Sequence, residues 1–348
     1  MQQSIILSAI RSFFVSLFAM VGIGVGLIPL ILILSLVIAR SDESLEVKNY
    51  YSPTIVTNAQ NTRKALSKSA PVILKLNVSG IIGTDKLNMH TIKQELTESR
   101  EGDLKDNRVK AVLVHIDSPG GTVSDADGIY RAIKEYKERY KVPVFAYIDG
   151  MCASGGMYVA AACDKIYSSD TSIIGSIGVI SSPYFNLVGL TEKLGVETKT
   201  LYAGKGKDNL NPFRPWKAGE DENIKTIIDY FYNHFVGVIT SNRTEISKSR
   251  LINDYGANVF SAEKAMEYGF IDGSGNTLND TLTTLAKNIG IDDDYYQVIK
   301  MERKISLGDL FKGDSPMMSG IVKHKLEISP EFDSRLMNQF LYLYLPGM

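Results

Sequence analysis

The chain has 348 residues, 44% hydrophobic and 22% charged, with a formal net charge of −1. The apolar share excludes a disordered chain, and two cysteines exclude a disulfide scaffold. The near balance of 38 Lys+Arg against 39 Asp+Glu argues against nucleic acid as the main partner. A mean hydropathy of −0.03 reads as an ordinary soluble protein, but it averages two unlike parts.

The first 40 residues carry Arg11 and Arg40 and no acid, which leaves 36 Lys+Arg and 39 Asp+Glu for the remainder. From Phe13 to Ala39 run 27 residues without a charge. As a helix this stretch is about 40 Å long, against a hydrocarbon core of roughly 30 Å. A cleaved signal sequence has an apolar core of only about 7–15 residues, so an uncleaved membrane anchor is the expectation. Pro29 is tolerated in such a helix, and Gly22 and Gly26 have the small-residue helix-pairing spacing, although glycine is also ordinary membrane-helix filler. Arg11 before the anchor and Arg40 and Lys48 after it give only a slight preference for a cytoplasmic N-terminus. The expected division is a cytoplasmic tail at 1–12, the anchor at 13–39 and an irregular, partly helical stalk at 40–70. A catalytic-type α/β domain at 71–290 and a C-terminal extension at 291–348 complete it.

From Pro71 strands and helices alternate. VILKLNVSG (72–80) reads as a strand, TIKQELTES (91–99) as a short helix, and AVLVHID (111–117) as a buried strand ending at Ser118-Pro119-Gly120-Gly121. Residues 122–140 place Ile129, Ile133 and Tyr136 at helical spacing, VPVFAYIDG (142–150) is the next strand, and small residues follow from Ala153 to Ala162. Residues 224–243 and 261–272 read as later helices. This alternation predicts an α/β fold of βαβ type.

Two turns stand out, Asp117-Ser-Pro-Gly-Gly121 and Cys152-Ala-Ser-Gly-Gly156, each after a strand and before a helix. In open α/β sheets sites gather at that edge. Paired glycines leave backbone N–H groups free to cradle an oxyanion, and Ser154 faces the start of its helix. A nucleophilic serine needs a base. His90, His115, His234 and His324 have no catalytic setting, and His115 reads as a core imidazole. Cys152 and Cys163 lack zinc-ligand spacing and read as small buried residues. A lysine remains. The ordinary lysine pKa of about 10.4 must fall by about 3 units, a cost of roughly 4 kcal/mol, before it serves as a base near neutrality. The loop at 200–213 offers Lys205 and Lys207 and otherwise looks like any solvated basic loop.

The ordered series DSPGG (117–121), DGMCASGGMYVAAACDKI (149–166), TSIIGSIGVI (171–180), KLGVE (193–197) and GKGKD (204–208) resembles the signal peptide peptidase A family. These are membrane-anchored serine–lysine peptidases of the Clp-protease/crotonase superfamily. The resemblance runs from about residue 72 to 275. It implies an α/β fold of repeated ββα-type units and a serine endopeptidase that needs no cofactor or metal. Residue by residue, it implies Ser154 as nucleophile, Lys207 rather than Lys205 as general base, and Ser176 as the hydroxyl that orients the lysine. Gly121, with Gly120 as a second candidate, corresponds to the oxyanion-hole glycine, the Ser154 amide being the other donor. Met157 replaces the family's usual tyrosine and is expected to alter packing or a substrate pocket, not the chemistry, and Asp208 is expected to face away from the Lys207 amine.

The resemblance further implies remnant signal peptides or other membrane-proximal polypeptides as substrates. It also implies homo-oligomers with active sites at subunit boundaries, and a single-pass protein of the inner (cytoplasmic) membrane with its peptidase domain outside. The apolar tail 339–348 is a candidate contact with a neighbouring copy. A thioester-binding crotonase-type enzyme of the same fold leaves the anchor and the serine–lysine pair without a role. A Clp-type peptidase needs a placed histidine and a partner unfoldase, and a silent membrane scaffold leaves Ser154, Ser176 and Lys207 unexplained.

Overall fold

The computed structural model describes residues 2–40, 49–304 and 339–344. The chain divides into two units, Met1–Asn49 and Tyr50–Met348. In the first, helix α1 spans Gln2–Arg40 with Pro29 inside it. Its segment Ile6–Ile33 has a mean hydropathy of 2.5 and is long and apolar enough to cross a membrane. Its large apolar side chains, Phe18 and Leu30 among them, are exposed along the helix.

The second unit is an α/β domain built on one mixed sheet. In chain order its elements are β1 (Tyr51–Val56), β2 (Val72–Ser79), α2 (Met89–Glu98), β3 (Val109–Ser118), β4 (Gly120–Thr122), α3 (Val123–Tyr140) and β5 (Val144–Ala153). Then follow α4 (Gly155–Ala160), β6 (Lys165–Ser168), β7 (Ile173–Gly175), β8 (Ile180–Ser181), α5 (Val188–Lys193) and α6 (Glu222–Asn242). The last are β9 (Val259–Ser261), α7 (Ala262–Glu267), α8 (Leu278–Asn288), β10 (Gln297–Arg303) and β11 (Phe340–Leu343).

The large sheet runs β1-β10-β2-β3-β5-β7-β9, with β6 also on β5. Its centre is parallel, and the antiparallel strands β1 and β9 close its two edges. Parallel strands covered on both faces read as continuous apolar runs. In β2, Leu74, Leu76 and Val78 face one buried cluster, while Ile73 faces the cluster that α8 covers with Leu282 and Leu285. The unit β3–β4–α3 is a long strand, a short strand and a helix, the ββα pattern expected.

Local chemistry sets the helix starts. In α2, Asn88 accepts from the Thr91 backbone N–H while the Thr91 hydroxyl accepts the Asn88 backbone N–H, a reciprocal capping box. Thr122 caps α3, which turns Ala126, Ile129, Ile133 and Tyr136 inward at helical spacing.

Two expectations are corrected. The stalk expected at 40–70 contains β1, whose six residues pair with β10, so the domain begins at Tyr50 rather than near residue 71. The expected C-terminal extension supplies β10, a strand parallel to β2 in the main sheet. The tail supplies β11, which lies between β4 and β8 of its own chain in a separate three-stranded sheet. His324 lies outside the described residues.

Candidate active site

The two glycine turns lie at the carboxyl ends of β3 and β5, which are neighbours in the sheet. Ser118 organises the first turn: its hydroxyl donates to the Gly80 carbonyl at 2.6 Å and accepts the Gly120 N–H at 3.1 Å. Gly120 has φ +101°, and a Cβ there would stand 2.7 Å from the Gly155 nitrogen and collide with the Tyr342 carbonyl oxygen. A Cβ on Gly121 would collide with the Ile82 backbone. Only glycine fits either position.

Ser154 follows β5 and opens α4 with φ 53° and ψ −116°, a conformation that side-chain-bearing residues rarely adopt. Strain of this kind collects where a structure over-determines a reactive group. Ser154 is 1% exposed, and its hydroxyl makes no capping bond to the helix it starts. Its N–H donates to the Gly175 carbonyl at 2.8 Å. β7 runs parallel to β5 with Gly175 opposite Ala153. Ser154 and Ser176 therefore sit one residue beyond a matched pair, on strands about 5 Å apart. Ser176 also has positive φ (58°), is 6% exposed, and its N–H donates to the Asn258 carbonyl at 2.7 Å.

These bonds redistribute the expected oxyanion donors. The Ser154 amide is committed to Gly175 and the Gly120 amide to Ser118, so neither is free. The remaining candidate donors are the amides of Gly121, which pairs with Tyr342 of β11, and of Gly155, which stands over Gly120. The sequence carries the signal for Gly155, the residue after the serine and first in its helix, but not the bond that removes the serine's own amide.

Within one chain the structure does not bring Lys207 to either serine. Its side chain is exposed, and among the described residues its amine makes no hydrogen bond or ion pair. Lys205 is likewise exposed. Asp208 is held by other groups. Its carboxylate accepts from Asn211 Nδ2 at 2.6 Å and Arg214 Nε at 2.5 Å, and these bonds, Asn211's first, hold it below the usual carboxylate range. Arg214 also pairs with Glu220 at 2.7 Å, and Glu220 accepts the Leu210 N–H at 3.0 Å. Asp208, Arg214 and Glu220 thus brace the lysine loop, a role for Arg214 and Glu220 that sequence reasoning misses because neither lies in a motif.

Among the described residues no histidine hydrogen-bonds Ser154 or Ser176. His115 stacks on Tyr147 in the sheet face that α8 covers, and burial lowers its pKa. His234 is 3.8 Å from Asp127. Cys152 and Cys163 are free and buried, and burial pushes both thiols up, which leaves them unreactive. Met157 is fully buried in α4, a packing position, and Tyr158 reaches Asp127 with its hydroxyl at 2.9 Å.

The chain is similar to known peptidases. The model of peptidase family S49 matches residues 136–292. A Synechocystis protein named as a putative protease is 32% identical over 246 residues, 68% of this chain and 83% of that one. An Enterococcus faecium protein named as a putative signal peptide peptidase SppA is 30% identical over 288 residues, 78% of this chain and 81% of that one. The chloroplastic serine protease SPPA of Arabidopsis thaliana is 28% identical over 233 residues, 66% of this chain and 34% of that one. Relatives matched over four fifths of their length lead to one assignment: the chain belongs to peptidase family S49, the family of SppA serine peptidases.

Proposed function

We propose that the protein is a membrane-tethered serine endopeptidase with a Ser154–Lys207 dyad. The observation that carries this reading is Ser154, held in a strained turn between the Gly120-Gly121 amides on one side and Ser176 on the other. Ser154 Oγ attacks a peptide carbonyl carbon while the neutral Lys207 amine takes its proton. The Gly121 and Gly155 N–H groups receive the developing oxyanion. Collapse breaks the C–N bond, and the Lys207 ammonium protonates the leaving amine. Water then attacks the acyl-serine, passes a proton to Lys207 and leaves the carboxylic acid, and the lysine returns the proton to Ser154 Oγ. Ser176 hydrogen-bonds the lysine amine and holds its orientation.

Because Lys207 is exposed in the single chain, the lysine comes from an adjacent copy. The arm that carries it supports this: Phe185, Leu194, Leu201 and Tyr202 on residues 182–217 are exposed, Leu201 by 83%. An apolar surface of this kind is ordinarily covered by a partner. Coverage by a second copy would also desolvate the amine, the condition under which lysine acts as a base.

α1 serves as a single-pass anchor of the cytoplasmic membrane, with the domain from Tyr50 onward outside. Tethering restricts substrates to polypeptides near the bilayer, remnant signal peptides foremost. The test is covalent labelling with a serine-directed acylating probe together with cleavage of a signal-peptide substrate. Both are expected in the intact assembly and absent in Ser154→Ala, and a correctly assembled wild-type protein that neither labels nor cleaves overturns the reading.

A further inference from the structure

The turn that carries Ser154 is preceded by a break in the register of the sheet. Along β3 and β5, Ile116 lies opposite Ile148 and Ser118 lies opposite Cys152. One residue of β3, Asp117, therefore spans three of β5, Asp149, Gly150 and Met151. The two surplus residues form a bulge, a device by which strands are re-aimed and change partners. β5 changes partner here: it pairs with β6 from Phe145 to Ile148 and with β7 from Met151 to Ala153. The bulge is thus the joint at which β5 leaves β6 and takes up the strand that leads to Ser176.

Asp117 fastens this joint. The Met151 N–H donates to Asp117 Oδ1 at 2.9 Å, and the Asp117 carbonyl accepts the Gly80 N–H at 2.8 Å, so one residue ties together the ends of β2, β3 and β5. Gly150 has φ +112°, and a Cβ there would stand 2.5 Å from Asp117 Oδ1, so glycine lets the carboxylate close on the bulge. From the connection between β6 and β7, the Ser169 N–H and the Ser172 hydroxyl both donate to the Ile148 carbonyl at 3.0 Å. Ser154 lies three residues beyond Met151. A slip of the bulge by one residue would carry the serine about 3.3 Å along the sheet and turn its side chain to the other face. Asp117 itself is exposed, and among the described residues its carboxylate makes no ion pair, so neither the core nor a salt bridge accounts for it.

We propose that Asp117 is a positioning residue for the nucleophile: by accepting the Met151 N–H it fixes the bulge in β5, and with it the placement of Ser154 against the Gly121 and Gly155 amides and against Ser176. The proposal rests on the peptidase reading. Asp117 acts as a hydrogen-bond acceptor, not as a charge or a proton carrier, because the bond it makes is to the backbone of β5. A nucleophile displaced by about 1 Å loses on the order of 10²-fold in rate without weaker substrate binding, so the effect falls on kcat.

The test compares full-length, assembled wild type, Asp117→Ala and Asp117→Asn in cleavage of a signal-peptide substrate, in the rate of acylation by a serine-directed probe, and in melting temperature. Rates are expressed per serine that the probe finally labels, so unfolded protein does not count. Asp117→Ala should lose about 10- to 10²-fold in kcat with KM nearly unchanged, and the acylation rate should fall in parallel. Asp117→Asn should recover most of the loss, because its amide oxygen accepts the same N–H from the same distance without the charge. Wild-type kcat per labelled serine in Asp117→Ala overturns the proposal, and if that variant also melts early the bond serves stability alone. An Asp117→Asn protein as slow as Asp117→Ala overturns it too, since charge and not the bond would then matter. Wild-type protein that neither labels nor cleaves overturns the peptidase reading, whereas wild type that does both while the variants fail these expectations overturns this proposal alone.

Discussion

The backbone N–H of Ser154 donates to the carbonyl of Gly175 at 2.8 Å. That bond ties the reactive serine to the strand that ends at Ser176, and it withdraws the serine's amide from any role with substrate. In the proposed mechanism the oxyanion donors are then Gly121 and Gly155, with Gly120 as the spacer that lets the amides converge. Gly120→Ala should lower kcat by about 10²–10³-fold, the usual effect of losing an oxyanion donor, because its Cβ would press on the Gly155 nitrogen at 2.7 Å and its φ of +101° strains alanine. Steady-state kinetics on the purified variant, with a melting curve to confirm folding, would check it. A folded variant with wild-type kcat would place the oxyanion elsewhere.

If the lysine is delivered by a neighbouring copy, two inactive chains can repair one another. Ser154→Ala and Lys207→Ala should each abolish cleavage. Co-expressed in equal amounts, they should regain about one quarter of wild-type activity, the share of boundaries at which an intact serine meets an intact lysine. A mixture that stays inactive despite co-assembly would require serine and lysine to act within one chain.

The loop that carries Lys207 depends on Arg214, whose guanidinium spans the carboxylates of Asp208 and Glu220. Arg214→Ala should lower kcat/KM about tenfold and also lower the melting temperature, since it strands the nearly buried carboxylates of Asp208 and Glu220. The freed Asp208 carboxylate would favour a charged amine beside it, so the acid limb of the pH–rate profile should move to higher pH. Arg214→Lys should rescue little, because an ammonium cannot span two carboxylates as the planar fork does. Unchanged kinetics in Arg214→Ala would show that the brace is dispensable.

The parts of this molecule legible in its sequence are those set by local chemistry. Strand runs, the glycine turns and the serine that opens α4 are punctuated within a few residues of one another, so Ser154 stands out from the chain alone, whereas Ser176 is singled out only by the resemblance. β1, β10 and β11 do not, because each is defined by a partner far away in the chain: Ile55 faces Ile299, and Tyr342 faces Gly121. QVIKMER and FLYL are apolar enough to be strands, but nothing within them says which sheet they join. The commitment of the Ser154 amide is hidden for the same reason, its acceptor being the backbone of a different strand. Lys207 is singled out by resemblance rather than by physics, since an exposed lysine on a glycine-rich loop looks alike whether it is solvated or waiting for a partner.

Glu95 gives the domain a pH dependence independent of catalysis. It lies on α2 against the edge of the sheet, where burial lifts its carboxyl from 4.5 to about 7, with Lys300 opposing the rise. The folded state therefore prefers the neutral acid. The sign follows from linkage: with the folded value above the unfolded one, the group's contribution is fully present below pH 4.5 and is lost as pH rises to about 7. The full span is roughly 3 kcal/mol. Glu95→Gln keeps the shape and stays neutral, so it should remove this slope and make the domain more stable than wild type at pH 8 by up to about 3 kcal/mol. Denaturant midpoints of the full-length protein and the variant at pH 5 and pH 8 would measure it, every other titrating group contributing equally to both. A variant that gains nothing at pH 8 would mean that water reaches the carboxylate and that Glu95 is charged at no cost in the fold.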